Sequence, residues 1–308
     1  MAEGGQAILI AGPTASGKSA AALELARRLG GVIVNADAMQ VYAELKVLSA
    51  RPGPEEECLV PHRLFGHVPA AEAYSAARWL DDARHALSDA WGKGRVAVVV
   101  GGTGLYFRSL EQGLSDIPHV PPEIRAKWRE ALAERGPDAL HQELAARAPD
   151  EARRLRPSDG QRIARSLEVL EATGEPLGAH HARGPAASPL AGAEVVRLAI
   201  VPDRTALYRR CDERFLRMMD EGAVDEVRRL LALNLDPALP AMRAIGVAPL
   251  ARHLSGDIPL EEAIRIAQRE TRNYAKRQLT WLRHQMPEYA PVADPTAAVA
   301  RCLDLWKR

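Results

Sequence analysis

The chain has 308 residues and carries 41 basic residues against 40 acidic ones, a net charge of +1. That length allows two domains or one domain with an insertion, and 47% apolar with 26% charged content excludes a disordered or fibrous chain. The near-neutral balance excludes a uniformly basic nucleic-acid coat and leaves room for a local basic patch.

Three scattered cysteines, Cys58, Cys211 and Cys302, exclude a disulfide scaffold and a cysteine-built zinc site. No apolar run reaches the ~18 residues that span a bilayer. The short apolar run near the N-terminus leads straight into a Gly-rich loop rather than a cleavage site. The expectation is a cytoplasmic enzyme with no membrane contact.

In chain order, Ala7 to Ala11 is a short apolar run that ends in glycine, the pattern of a buried parallel strand. Ser19 to Leu29 repeats Ala and Leu at helical spacing and stops at Gly30-Gly31. Val32 to Val34 begins a second strand, Tyr74 to Trp91 reads as a helix, and Arg95 to Val100 is a third buried strand closed by Gly101-Gly102. Strand, helix and strand at this spacing predict a parallel α/β sheet. From Pro118 to Thr173 there are charged helical patterns and no good strand. Gly174 to Gly192 reads as a loop, Val195 to Val201 returns as a strand, and Arg204 to about Gln285 is helical; a loop and a short terminal helix follow. The predicted class is an α/β P-loop fold, nucleoside-kinase-like, with a helical insertion domain and a helical C-terminal part. Its expected divisions are 1–117 (first part of the core), 118–190 (helical insertion, a lid over RNA) and 191–308 (core completion with basic helices).

Gly12, Pro13, Thr14, Ala15, Ser16, Gly17, Lys18 and Ser19 fit G-x-x-x-x-G-K-[ST], directly after a strand and before a helix. In that layout backbone N–H groups turn inward around a phosphate and the helix N-terminus adds partial positive charge. Lys18 reaches the distal phosphate and Ser19 is the candidate ligand for Mg²⁺. The loop specifies a phosphorylated ligand without specifying ATP. A P-loop hydrolase also needs a strand ending in Asp, whereas the best candidate strand ends in Gly-Gly-Thr-Gly. Asn35 to Tyr42 follows the second strand, so Asp37 falls at the carboxyl edge of the sheet; Gly101 to Tyr106 brings Thr103 to the same edge. Taken alone, without their neighbours, Asp37 reads first as a helix N-cap and Thr103 as a turn residue.

GPTASGKS (12–19), NADAMQVY (35–42) and VGGTGLY (100–106), in this order and spacing, closely resemble the tRNA dimethylallyltransferases, also called tRNA isopentenyltransferases. Three later segments are similar to the same family: DGQRIARSLEV (159–169), RAIG (243–246) and TRNYAKRQLTW (271–281). The resemblance runs from about residue 8 to residue 285. It departs at Leu48-Ser49-Ala50-Arg51, where the family has G-T-A-K, at Arg63 in place of a His, and at Val247 in place of a Tyr.

The resemblance implies transfer of a dimethylallyl group from dimethylallyl diphosphate to N6 of the adenosine 3′ of the anticodon, in tRNAs reading codons that begin with U. The residues suit that chemistry. An exocyclic amine needs a base, and Asp37 is the candidate. The phosphate loop, Mg²⁺ and an arginine stabilise the departing diphosphate. Arg210 and Arg214 share a helix face, and Arg214 is the favoured one. Thr103 is a candidate for bonding either a bridging oxygen or the incoming base. The base must flip out of its stack, with Met39 or Tyr106 to pack against it. By the same resemblance, RNA contacts are expected from Asp37, Ala38, Met39, Gln40 and Thr103, from Arg243, Ala244, Ile245 and Gly246, and from Gln161, Arg162, Ile163, Ala164 and Arg165. Arg125 is a further expected contact.

Arg265 to His284 holds six basic residues against one acid, a local +5. Arg265, Arg269, Arg272 and Lys276 fall on one helix face, with Arg277 beside them. Lys276 and Arg277 are expected on tRNA phosphates; a merely solvated basic face is the alternative. The expected partners are therefore the tRNA anticodon stem-loop and dimethylallyl diphosphate, the cofactor Mg²⁺, and the state monomeric. The rival reading is a P-loop small-molecule kinase using ATP. A GTP-type switch is disfavoured because no N-K-x-D-like segment is present.

Overall fold

The computed structural model describes residues 4–306. Its first half begins β1 (Gln6–Ala11), α1 (Lys18–Leu29), β2 (Val32–Asn35), α2 (Pro54–Leu59), β3 (His62–Arg63), α3 (Ala76–Gly92), β4 (Ala97–Gly101) and α4 (Gly104–Gln112). Four helices follow: α5 (Pro122–Arg147), α6 (Pro149–Arg153), α7 (Gly160–Thr173) and α8 (Leu177–Ala182). The chain then runs through β5 (Glu194–Ile200), α9 (Arg204–Asp220), α10 (Ala223–Ala232), α11 (Val247–Leu254), α12 (Leu260–Gln285), β6 (Ala290–Val292) and α13 (Pro295–Trp306).

The strands form one six-stranded sheet in the order β3-β2-β4-β1-β5-β6, every pairing parallel. β1 lies inside it, with Ile8 paired to Val98 on one side and Val196 on the other. A strand covered on both faces must be apolar throughout, and β1 and β4 are: every residue of β4 and all but the first of β1 are buried. Ile8, Ile10 and Val98 pack with Leu25 of α1 and with Ala298 and Cys302 of α13 in one core cluster.

The chain divides into two compact units. One takes in the residues up to Glu111 and from Ser188 onward; the other is Gln112–Ala187. The second unit has its own core, in which Trp128, Leu140 and Leu144 of α5 meet Ile163 and Leu167 of α7. Trp128 donates its indole N–H to Glu171 at 3.0 Å, so the one polar atom of that ring is satisfied.

The observed elements depart from expectation in four places. The edge strands β3 and β6 have two and three residues, too few for an alternating pattern to register. The expected loop at 174–192 contains the helix α8. The helical stretch from Arg204 is four α-helices, because Gly222, Asn234 and Gly256, directly after the ends of α9, α10 and α11, enter the left-handed region at φ 94°, 50° and 86°. The terminal helix is a full 12 residues.

Candidate active site

The phosphate loop joins β1 to α1. Gly17 takes φ 88°, a left-handed conformation, and a Cβ there would stand 2.5 Å from Pro295 Cγ, so both backbone and packing require glycine. Ala15 is also left-handed, at φ 60°, a strain of about 1 kcal/mol for a residue with a Cβ. Lys18 is buried and its ammonium donates to Pro13 O at 3.3 Å. Burial pushes its pKa down to about 8, against the pull of the Asp37 carboxylate and with a further push from Arg214. Ser19 is exposed at the start of α1.

Asp37 and Thr103 sit at the carboxyl ends of β2 and β4 and are linked through the backbone. Thr103 Oγ1 accepts the Ala38 N–H at 2.9 Å, and the Thr103 N–H reaches Ala36 O at 3.1 Å. Asp37 does not cap a helix. Its Oδ1 accepts the Met39 N–H at 3.0 Å in a local turn, while its own N–H goes to Asn35 Oδ1 at 2.8 Å. One carboxylate oxygen is thus tied to the turn, and Asp37 lines a cavity of about 60 Å³. Thr14, Met39, Leu48, Arg214, Phe215 and Tyr274 share that cavity with it.

The loop after Asp37 is fixed from three directions. Gln40 donates to Ser49 O and Ala50 O at 3.0 and 2.9 Å, which spends both of its amide N–H groups inside the loop. Arg51 donates to Tyr42 O and Ala43 O, so the arginine that replaces a lysine straps backbone. Glu226 of α10, 3% exposed, accepts the N–H groups of Lys46, Val47 and Leu48 at 2.7, 2.7 and 2.9 Å.

Two helices complete the cavity. From α9, Arg214 donates to Thr14 Oγ1 and lines the cavity, and its burial lowers its pKa below the usual guanidinium range. Arg210, one turn earlier, has buried Nε and Nη2 atoms that meet no acceptor among the described residues. From α12, Tyr274 lines the cavity, and burial drives its phenol well above its ordinary pKa, so it remains protonated and a donor. Gln278 accepts the Thr14 N–H at 2.8 Å and donates to Gly102 O at 2.9 Å. Tyr274, Gln278 and Glu226 were not singled out from the sequence as parts of the site.

Among the described residues no group of three or more His, Cys, Asp or Glu gathers to hold a metal. The donor set that does exist, the Ser19 hydroxyl with room for phosphate oxygens and water, matches the way Mg²⁺ binds with substrate phosphates.

The expected RNA contacts are distributed unevenly. Arg243, Lys276 and Arg277 are exposed, and Arg243 and Arg277 border an open groove of about 700 Å³ whose wall, Ala244 and Ile245, also faces the cavity. Gly246 precedes α11 and Val247 is buried in it. Arg272 is turned inward onto Asp212 of α9 and Arg265 pairs with Glu262, so the basic face of α12 is narrower than its sequence suggests. In the second unit, Arg125, Gln161 and Arg162 are exposed and Arg165 pairs with Glu168 at 3.1 Å. Ile163 and Ala164 are 0% and 5% exposed in that unit's core. The expectation of side-chain contact with RNA at these two positions is corrected: they pack α7. Tyr106 is likewise withdrawn as a partner for a flipped base, since it is buried with its ring stacked on Trp79 at 4.2 Å.

A family model described as IPP transferase matches residues 40–285, and one described as isopentenyl transferase matches residues 5–65. A tRNA dimethylallyltransferase of Rhodospirillum centenum is 57% identical over 294 residues, covering 96% of this chain and 93% of the relative. One of Methylobacterium radiotolerans is 54% identical, covering 96% of both. Among solved structures, the tRNA isopentenylpyrophosphate transferase of Bacillus halodurans superposes with a TM-score of 0.69 at 30% identity, covering 98% of this chain and 95% of its own. A eukaryotic dimethylallyltransferase captured acting on tRNA superposes with a TM-score of 0.83 at 25% identity, covering 98% of this chain and 79% of its own. The chain therefore belongs to the tRNA dimethylallyltransferase family of prenyl-transferring enzymes.

Proposed function

We propose that this enzyme transfers the dimethylallyl group of dimethylallyl diphosphate to N6 of the adenosine immediately 3′ of the anticodon, in tRNAs that read codons beginning with U. The observation that carries the reading is the single cavity shared by Thr14 of the phosphate loop, Asp37, Arg214 and Tyr274. It has a cationic end for a leaving diphosphate and a carboxylate for a departing proton.

In this reading the phosphate loop, Lys18 and Arg214 hold the diphosphate. The N6 nitrogen attacks C1 of the dimethylallyl group. The N6–C1 bond forms, the C1–O bond breaks, and diphosphate leaves with the bonding electron pair. The N6 proton passes to Asp37, whose Oδ1 stays anchored to Met39 N–H so that the carboxylate keeps its aim. Thr103 Oγ1 is held by the Ala38 N–H, and its hydroxyl orients whichever of the two reactants it meets. The Ser19 hydroxyl would hold Mg²⁺, which would supply charge neutralisation for the leaving diphosphate. Outside the cavity, Arg243, Lys276 and Arg277 take tRNA phosphates, with Arg125, Gln161, Arg162 and Arg165 as further contacts.

The small-molecule kinase reading is not supported. β4 ends in Gly101 with no strand-end acid, and the relatives described above are dimethylallyl or isopentenyl transferases. Incubation with undermodified tRNA, Mg²⁺ and labelled dimethylallyl diphosphate tests the proposal, with ATP as the control donor. Label in the tRNA is the expected result. ATP turnover without prenyl transfer overturns it.

A further inference from the structure

The phosphate loop offers fewer donors than its length suggests. Pro13 has no N–H. The Thr14 N–H is already spent on Gln278 Oε1 at 2.8 Å. The Ser16 N–H turns back onto Pro13 O at 3.2 Å. Gln278 is 6% exposed and engaged at both ends of its amide, because Nε2 donates to Gly102 O at 2.9 Å. The chain makes room for it: a Cβ on Gly102 would stand 2.1 Å from Gln278 Nε2. An amide from α12 thus closes the leading end of the loop and ties it to the end of β4. The backbone donors left for a ligand are those of Ala15 and of Gly17 to Ser19, together with the Lys18 and Arg214 side chains.

We infer that Gln278 is a specificity-determining residue that makes this site take a diphosphate and turn away a triphosphate. P-loop sites hold phosphates through successive backbone N–H groups, and every phosphate oxygen taken out of water needs such a donor. A phosphate added at the leading end of this loop meets Pro13, which cannot donate, and Thr14, whose donor is committed. It also meets the Gln278 carbonyl oxygen, an acceptor facing an anion. The inference deepens the diphosphate reading of the same site and rests on it. It also gives a positive reason, beyond the missing strand-end acid, for the chain to ignore ATP.

The test is a titration of the full chain with inorganic pyrophosphate and with tripolyphosphate, each with Mg²⁺, followed by heat or by competition with dimethylallyl diphosphate. The wild type should prefer pyrophosphate. Gln278→Ala frees the Thr14 N–H for a charged acceptor, so the preference should shift toward tripolyphosphate by about 10–100-fold. Gly102→Ala, which pushes the amide off its seat, should shift it the same way and serves if the first variant does not fold. Gln278→Glu keeps an acceptor on Thr14 and should gain nothing. An unchanged ratio in folded Gln278→Ala, or an equal gain in Gln278→Glu, overturns the inference while leaving the diphosphate site standing. A wild type that binds neither anion overturns the site reading itself.

Discussion

Glu226 gives the sharpest test of how the fold holds the site. Its carboxylate takes three consecutive N–H groups, from Lys46 to Leu48, and the next turn of that loop puts Leu48 and Ser49 on the cavity wall. In Glu226→Ala the Leu48 N–H, buried, loses its acceptor outright, at about 1–3 kcal/mol. The Lys46 and Val47 residues are exposed and half-buried, so water reclaims their N–H groups and each loss is about 1 kcal/mol. The total of about 3–5 kcal/mol corresponds to a fall of roughly 10 °C in melting temperature for a unit of this size. Glu226→Gln keeps one acceptor and points an amide N–H₂ at the remaining donors, so it should lie between the wild type and Ala. Single-turnover prenyl transfer well below the melting temperature should also fall, by ~10–100-fold, since a reacting group displaced by about 1 Å loses that much. Pyrophosphate affinity should hold, because the phosphate loop lies on a different strand end. A melting temperature within about 1 °C of wild type would show that the three hydrogen bonds carry no stability.

Three further outcomes are expected. Asp37→Asn keeps the oxygen that accepts the Met39 N–H, so the fold should persist while the chemical step slows by about 10²–10⁴-fold; a near-normal single-turnover rate refutes the base assignment. Neutralising Lys276 and Arg277 should weaken tRNA binding and flatten its salt dependence by roughly one unit of slope per lost phosphate contact, and unchanged affinity returns that face to mere solvation. Lys18, with its pKa lowered to about 8, is charged below that pH and neutral above it. Pyrophosphate affinity of the free enzyme should therefore fall as pH rises past 8, up to about tenfold per unit; flat affinity from pH 7 to 9.5 would contradict this. Folding stability shifts the opposite way, since between about 8 and the ordinary lysine value the unfolded chain binds the proton that the folded one has released.

The sequence was most informative where structure is local. GPTASGKS could be placed because strand, loop and helix follow each other within a few residues, and Asp37 and Thr103 could be placed because parallel strands deliver their carboxyl ends to one edge. Residues that act across the chain were not visible in this way. Glu226 bonds a loop nearly 180 residues away, and Gln278 bonds Thr14 across 264. Neither has a spacing that separates it from the many other polar residues on helices. Tyr106 shows the opposite failure. Its motif put it at the right edge, but only packing reveals that Trp79 covers its ring. Ile163 and Ala164 failed for a similar reason, since a motif shared by a family mixes residues that touch the ligand with residues that hold the helix.

The sheet order has a consequence for biosynthesis. β1 precedes both of its neighbours in the chain by a long way: β4 ends at Gly101 and β5 at Ile200. The glycine at the base of the phosphate loop is backed by Pro295, and the core beneath α1 is filled by Ala298 and Cys302. The phosphate loop therefore leaves the ribosome nearly 300 residues before the helix that backs it. Throughout synthesis of the helical unit one hydrogen-bonding edge of β1 lacks its partner, β5. For so non-local a sheet, with closure of the long loops preceding the contacts that reward it, the nascent chain is at its most aggregation-prone until α13 has emerged.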